Sequence, residues 1–269
     1  MLANDPIHPR AKKSLGQNFL KDGNIARKIV DALDIGPNDY VVEIGPGPGA
    51  LTESIAGKGP RHLTLVEKDE YWAEERRSAL LVNGGLVNND RAEVLCADAL
   101  TVTWEDFPAP WKCIGNLPYN VASPLMWDIF SRAKGLARAV FMIQKEVGQR
   151  IVAEPGTKAY GALSVWIQAF MRPCMEFIVP PQVFTPRPKV DSAVLSFIPR
   201  EDAPAGAEKD ALAKTLHLCF QQRRKQLGTI LKSTKITEDA LPPASGIAFT
   251  MRPERLTVAQ FRVLARMFL

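Results

Sequence analysis

The chain has 269 residues, 46% of them hydrophobic and 23% charged, ordinary values for a globular protein with a sizeable core and, by length, two domains. Disordered, collagenous and disulfide-scaffold classes are excluded. The formal charge of +5 is unevenly placed: residues 200–269 hold 12 Lys/Arg against 7 Asp/Glu, while residues 1–199 hold 22 of each. A basic segment beside a neutral one suits a protein that holds a polyanion with one part and does chemistry with the other; a merely solvated surface fits the same excess.

Cys96, Cys113, Cys174 and Cys219, like His8, His62 and His217, are scattered. They show no metal-ligand spacing, so no metal is expected, and the cysteine usage points to a reducing, cytoplasmic setting. The first ten residues, MLANDPIHPR, lack the apolar region of a signal peptide, and no run is long enough to span a membrane.

In chain order the pattern alternates. Helical spacing covers 24–33, 50–56, 70–81, 123–130, 145–152 and 162–170. Short apolar, β-branched runs cover 40–44, 63–66, 93–96, 112–115, 138–143, 175–179 and 193–198. This predicts an α/β fold with a mostly parallel seven-stranded sheet, helices on both faces and an antiparallel element near its end. The polar, glycine-rich stretch 83–91 (NGGLVNNDR) reads as a surface loop. After the linker-like EDAPAGA at 201–207 the pattern is helical, with one helix over 210–232 and a last one over 258–268. The expected division is therefore 1–199, a catalytic domain, and 200–269, a basic helical domain.

The first strand ends in Gly45-Pro46-Gly47-Pro48-Gly49 and runs into a helix. Such a loop brings backbone close to a ligand at a helix N-terminus and also fits a dinucleotide fingerprint. Pro46 and Pro48 lack the N–H groups a pyrophosphate would use, so an adenosine cofactor without phosphates, S-adenosylmethionine, suits the loop better. Glu67, at the end of the second strand, is placed to accept from ribose hydroxyls. Asp98, after the third, is placed to accept from an adenine amine. Three strand ends thus line one crevice.

The fourth strand runs into Asn116-Leu117-Pro118-Tyr119-Asn120. An adenine exocyclic amine is a poor nucleophile, because its lone pair is delocalised into the ring. If the Asn116 side-chain oxygen and a loop carbonyl accept its hydrogens, the nitrogen can pyramidalise towards a methyl donor. Pro118 stiffens the loop and Tyr119 offers a stacking face worth ~1–3 kcal/mol. Such catalysis is positioning and electrostatic fit rather than strong base chemistry.

With these residues in place the chain resembles the bacterial 16S ribosomal RNA adenine N6,N6-dimethyltransferase family nearly end to end. The resemblance is carried by KSLGQNFL at 13–20, the glycine loop, NLPYN at 116–120, QKEV at 144–147, KAYG at 158–161, FTPRPKVDS at 184–192 and FQQRRK at 220–225. It implies a Rossmann-like, class I methyltransferase sheet followed by a small helical domain. It also implies that S-adenosylmethionine is held by Gln17, Asn18, Leu20, Gly45, Gly47, Glu67, Asp98 and Asn116. Phe184 would sandwich the flipped base against Tyr119. Two adjacent adenosines near the 3′ end of 16S RNA would each receive two methyls, late in small-subunit assembly. A monomer is expected.

On a helical wheel at ~100° per residue, Arg223 and Arg224 flank the apolar arc of Leu216, Phe220, Leu227 and Leu231. Packing on the core and contact with phosphates stay equally open for them. Lys225, Lys232 and Lys235 are the better candidates for solvated, phosphate-facing charges, and a simple solvated face explains them as cheaply. The rival readings are a 23S RNA adenine methyltransferase of the macrolide-resistance type, a DNA adenine methyltransferase, a non-catalytic ribosome-assembly factor and an NAD-dependent oxidoreductase.

Overall fold

A computed structural model describes residues 16–82 and 91–269. Residues 13–15 of the N-terminal motif, His8, and all of the 83–91 loop but Arg91 lie outside the described residues. The chain runs β1 (Phe19–Leu20), α1 (Gly23–Leu33), β2 (Tyr40–Ile44), α2 (Ala50–Ala56), β3 (His62–Glu67), α3 (Glu70–Val82), β4 (Ala92–Cys96) and β5 (Trp111–Asn116). It continues through α4 (Ala122–Arg132), β6 (Leu136–Gln144), α5 (Lys145–Ile151), α6 (Ala162–Phe170), β7 (Met171–Val179), β8 (Phe184–Thr185) and β9 (Ser192–Pro199). Three helices follow: α7 (Gly206–Gln221), α8 (Leu227–Ile230) and α9 (Val258–Arg266).

Among the described residues seven strands form one sheet in the order β4-β3-β2-β5-β6-β9-β7. β2 to β6 pair in parallel, and β9 runs antiparallel to both β6 and β7. The antiparallel turn follows from the connection. No α-helix lies between β7 and β9, only a single 3-10 turn at Pro181–Val183, and a parallel return needs a long crossover. β1 and β8 form a separate two-stranded pair, with Leu20 opposite Phe184. Strands of two residues carry no periodicity, which is why the sequence pattern did not predict them.

Each central strand is buried on both faces, and alternate residues feed two cores. Val41, Leu63, Leu65, Ile114, Val140 and Met142 pack with α1 and α2. Val42, Ile44, Cys113, Ala139, Phe141 and Ile143 pack on the other side with α4 and α6. α1 starts where the Asp22 side chain accepts from the N–H groups of Asn24 and Ile25, and its apolar stripe of Ala26, Ile29, Val30 and Leu33 is buried.

The single helix expected over 210–232 is two. α7 stops at Gln221, a turn follows in which the Lys225 N–H donates to the Gln222 carbonyl, and α8 restarts at Leu227. The N–H groups of Leu227 and Gly228 donate to the carbonyls of Met251 and Phe249, so tertiary pairing replaces the helical ladder. Leu227 and Leu231 kept helical spacing across the break by coincidence. The core does not stop where the sheet does: Leu212, Leu216, Phe261 and Leu264 join the apolar cluster that holds Trp166 and Phe170. Among the described residues no helix is long and apolar enough to cross a membrane.

Candidate active site

Gly45, Gly47 and Gly49 all have positive φ (68°, 48° and 98°), the left-handed region where glycine carries no penalty. At Gly49 there is a second reason: a Cβ there would lie 2.0 Å from Nη1 of Arg76. At Gly45 a Cβ would meet nothing within 4 Å, because that face opens into the cleft. The Gly45 N–H donates to the Val66 carbonyl (2.9 Å), that of Gly49 to the Pro46 carbonyl (2.9 Å), and that of Gly47 to Oε2 of Glu67 (3.0 Å). With two prolines between them, the Gly45–Gly49 loop has no N–H left for a phosphate. This disfavours the dinucleotide reading on geometry as well as sequence.

The loop forms one wall of a cleft of ≈ 940 Å³, open mouth included, which Gln17, Asn18, Glu67, Asp98, Asn116 and Tyr119 also line. Glu67 is 6% exposed. Burial raises its carboxyl above the ordinary value, and the N–H groups of Asp69 (2.8 Å, to Oε1) and Gly47 pull against that. Each carboxylate oxygen keeps a second acceptor position for a ligand hydroxyl. Asp98 has the opposite shift: Lys68 Nζ donates to its Oδ2 (2.6 Å) and the Leu100 N–H to its Oδ1 (3.0 Å), which hold the carboxyl below its usual range.

Lys68 and Phe19 are cleft residues that the sequence reading missed. Phe19 sits between Gly47, whose Cβ would come within 3.1 Å of the ring, and Trp72, edge-on at 5.3 Å. Adjacency of Lys68 to Glu67 was the one available signal for the lysine. Nothing in the spacing marked Phe19, which is half-buried and lies between the expected ligand residues Asn18 and Leu20. Leu20, expected at the cofactor, instead points into the core with α1 and Phe184, because alternation along β1 sends consecutive side chains to opposite faces.

Beneath the loop, Glu43 is 1% exposed and accepts from Thr52 Oγ1 at 2.7 Å. Burial pushes its carboxyl from 4.5 up to about 7. The native state therefore holds a proton that the unfolded chain has lost, and this group's contribution to stability falls as pH rises from 4.5 to about 7. Thermal melts of Glu43→Gln should show a flatter pH dependence across that window than the parent; parallel curves would refute the assignment.

At the end of β5 the Asn116 amide donates from Nδ2 to the Asn18 carbonyl (2.9 Å), which leaves Oδ1 as its available acceptor. Gly115 permits the close strand approach behind it, since a Cβ there would lie 2.7 Å from the Ile44 carbonyl oxygen. Pro118 accepts at its carbonyl from Val121 and Ala122 as α4 begins. The Tyr119 hydroxyl shares a 3.0 Å hydrogen bond with Ser192 Oγ. Its phenol is raised by burial, with that bond opposing.

Phe184, expected against Tyr119, does not line the cleft. It is 2% exposed and belongs to the apolar cluster packed with α1 and α2; in this conformation its ring offers no face to a base. The C-terminal cations also separate. Arg223 donates from Nη2 to the Lys158 carbonyl (2.8 Å) and lies 3.8 Å from Glu254, so it ties the 154–161 loop to the C-terminal segment. Arg224, Lys225 and Lys232 are exposed and, among the described residues, form no ion pair with a carboxylate. The wheel placement of Arg223 and Arg224 fails because both lie in the turn after α7 rather than on a helix.

A mostly parallel sheet with this strand order, a donor-free glycine loop and acidic residues at the next two strand ends defines a class I methyltransferase whose methyl donor is S-adenosylmethionine. The solved dimethyladenosine transferase from Plasmodium falciparum superposes with a TM-score of 0.78 at 27% identity, covering 93% of this chain and 97% of that one. The 23S rRNA methyltransferase ErmE gives 0.70 at 25% identity, covering 93% and 100%. The family model described as ribosomal RNA adenine dimethylase matches residues 8–268. The ribosomal RNA small subunit methyltransferase A of Nitratidesulfovibrio vulgaris (strain Hildenborough) is 59% identical over 95% of this chain and 96% of its own length. That of Levilactobacillus brevis is 40% identical over 96% and 90%. The chain belongs to the ribosomal RNA adenine dimethylase family.

Proposed function

We propose that this protein dimethylates the N6 amines of two adjacent adenosines near the 3′ end of 16S RNA in the small ribosomal subunit, late in its assembly. The relatives named for the small subunit support that target. The observation that carries the chemistry is the Asn116 amide, with its nitrogen committed to the Asn18 carbonyl and its oxygen left to accept from an adenine amine.

The cleft fits the cofactor: Gly45 leaves space where a side chain would intrude, the loop lacks phosphate donors, and Glu67 and Asp98 retain acceptor capacity. When bound, S-adenosylmethionine supplies an electrophilic methyl on a sulfonium. Gly45, Gly47, Glu67, Asp98, Gln17 and Asn18 are the residues proposed to hold it, with Phe19 in place of Leu20. Asn116 Oδ1, with a carbonyl of the 116–120 loop, accepts the amine hydrogens and localises the nitrogen lone pair. Pro118 fixes the loop and Tyr119 stacks on the base, which must leave its own stack to enter. No strong base is required, since the methylated amine is acidic and its proton leaves to solvent after transfer.

The helical segment 200–269 is proposed as the part that grips RNA, with the whole protein acting as a cytoplasmic monomer. Arg224, Lys225 and Lys232 meet phosphates in this reading, and Arg223 serves as the clamp on the 154–161 loop. Charge reversal at Lys225 and Lys232 should make log affinity for the subunit less steep against log salt, by roughly 0.7–0.9 per lost phosphate contact. An unchanged slope would return them to a solvated face. The function itself is tested with tritiated S-adenosylmethionine offered to small subunits lacking the dimethyladenosines, to large-subunit RNA and to duplex DNA. Label in the small subunit alone is expected; label in large-subunit RNA would move the chain to the resistance type, and binding without label would make it an assembly factor.

A further inference from the structure

Ser192 opens β9 in a row that continues Ala-Val-Leu, and is 1% exposed. A buried hydroxyl in such a strand costs free energy unless it is hydrogen-bonded. Its side-chain partner is the Tyr119 hydroxyl at 3.0 Å, on a loop 73 positions earlier in the chain. The serine is held rigidly. In register it lies between Gln144 of β6 and Val179 of β7. Its neighbour Asp191 is tied to Lys145 twice, carbonyl to N–H and carboxylate to ammonium, each at 3.0 Å. Tyr119 is not held in that way: it sits in the short connection between β5 and α4, where its ring turns about two side-chain torsions.

We infer that Ser192 is a positioning residue for the target base: its hydrogen bond to the Tyr119 hydroxyl fixes the plane of the ring on which the adenine stacks. A phenol anchored to the sheet presents one face to the cleft in one orientation, and transfer depends on orientation of the amine more than on affinity for the base. The inference rests on the proposed methylation of an adenine in this cleft. It assigns no proton transfer to the serine.

Removing one such bond should lower turnover about 3–10-fold, the range of a neutral hydrogen bond. Ser192→Ala and Tyr119→Phe delete it from opposite ends, and each should show that loss with cofactor affinity by calorimetry unchanged. The double variant should be no slower than either single one, and Ser192→Thr should restore the rate. With 2-aminopurine in place of the target adenosine, both single variants should show weaker stacking quench at saturating enzyme than the parent. Multiplicative losses in the double variant, weakened cofactor binding by Ser192→Ala, or full activity of Tyr119→Phe would each overturn the inference. Should Ser192→Ala fold poorly, Tyr119→Phe still decides, since it leaves β9 untouched. Absence of transfer by the parent protein would instead overturn the functional reading, and this inference with it.

Discussion

Asn116→Ala should reduce single-turnover methyl transfer by about 10²–10³-fold, the range for removing one preorganised hydrogen-bonding group from a transition state, while weakening S-adenosylmethionine binding far less. The amide is held at its nitrogen by the Asn18 carbonyl at 2.9 Å. Its oxygen is therefore set before substrate arrives and needs no reorganisation during the reaction. Alanine removes the acceptor, and it also releases the strap that joins β5 to the 16–18 segment. Rapid-quench kinetics and calorimetry on the same preparation separate the two effects. Equal losses in rate and cofactor affinity would show Asn116 to be a cofactor residue and no more.

The second large effect is expected at Glu67. Glu67→Ala should raise the cofactor dissociation constant about 10–100-fold, from the loss of charge-assisted hydrogen bonds worth ~1.5–3 kcal/mol. The carboxylate works in two directions. It organises the loop by accepting from Gly47 and, on its other oxygen, from Asp69, and it keeps acceptor positions for the ligand. Glu67→Gln retains one acceptor oxygen and should fall between the parent and the alanine variant. Calorimetry with S-adenosylmethionine checks the series; unchanged affinity in the alanine variant would remove Glu67 from the binding site.

Much of the fold was legible because its signals are local. β2 and α2 are bounded as their periodicity implies, since β-branched runs and a glycine loop punctuate them. The antiparallel end of the sheet followed from the lack of a helical pattern between 179 and 192. What escaped depends on contacts distant in sequence. The β1–β8 pair is two residues on each side, too short for any pattern. The break after α7 is enforced by carbonyls at Phe249 and Met251, which no window around residue 225 contains.

The same division holds for the site. Gly45, Glu67, Asp98 and Asn116 stand at strand ends, so alternation of strands and helices was enough to bring them to one crevice. The burial of Phe184 and Leu20, the Lys68–Asp98 pair and the Arg223 clamp are products of packing. Lys68 in particular alters the electrostatics expected of Asp98: the acid at the adenine end is neutralised by a neighbour and is left to read hydrogen bonds rather than charge.

The central claim is that this cleft presents the N6 amine of adenine to a methyl donor. The most direct test is nucleoside mass spectrometry of small-subunit RNA after reaction with the purified protein. N6,N6-dimethyladenosine at two adjacent positions near the 3′ end, formed far more slowly with Asn116→Ala, is the predicted result. Methyl groups on adenine N1, on a ring carbon or on a ribose hydroxyl would contradict it.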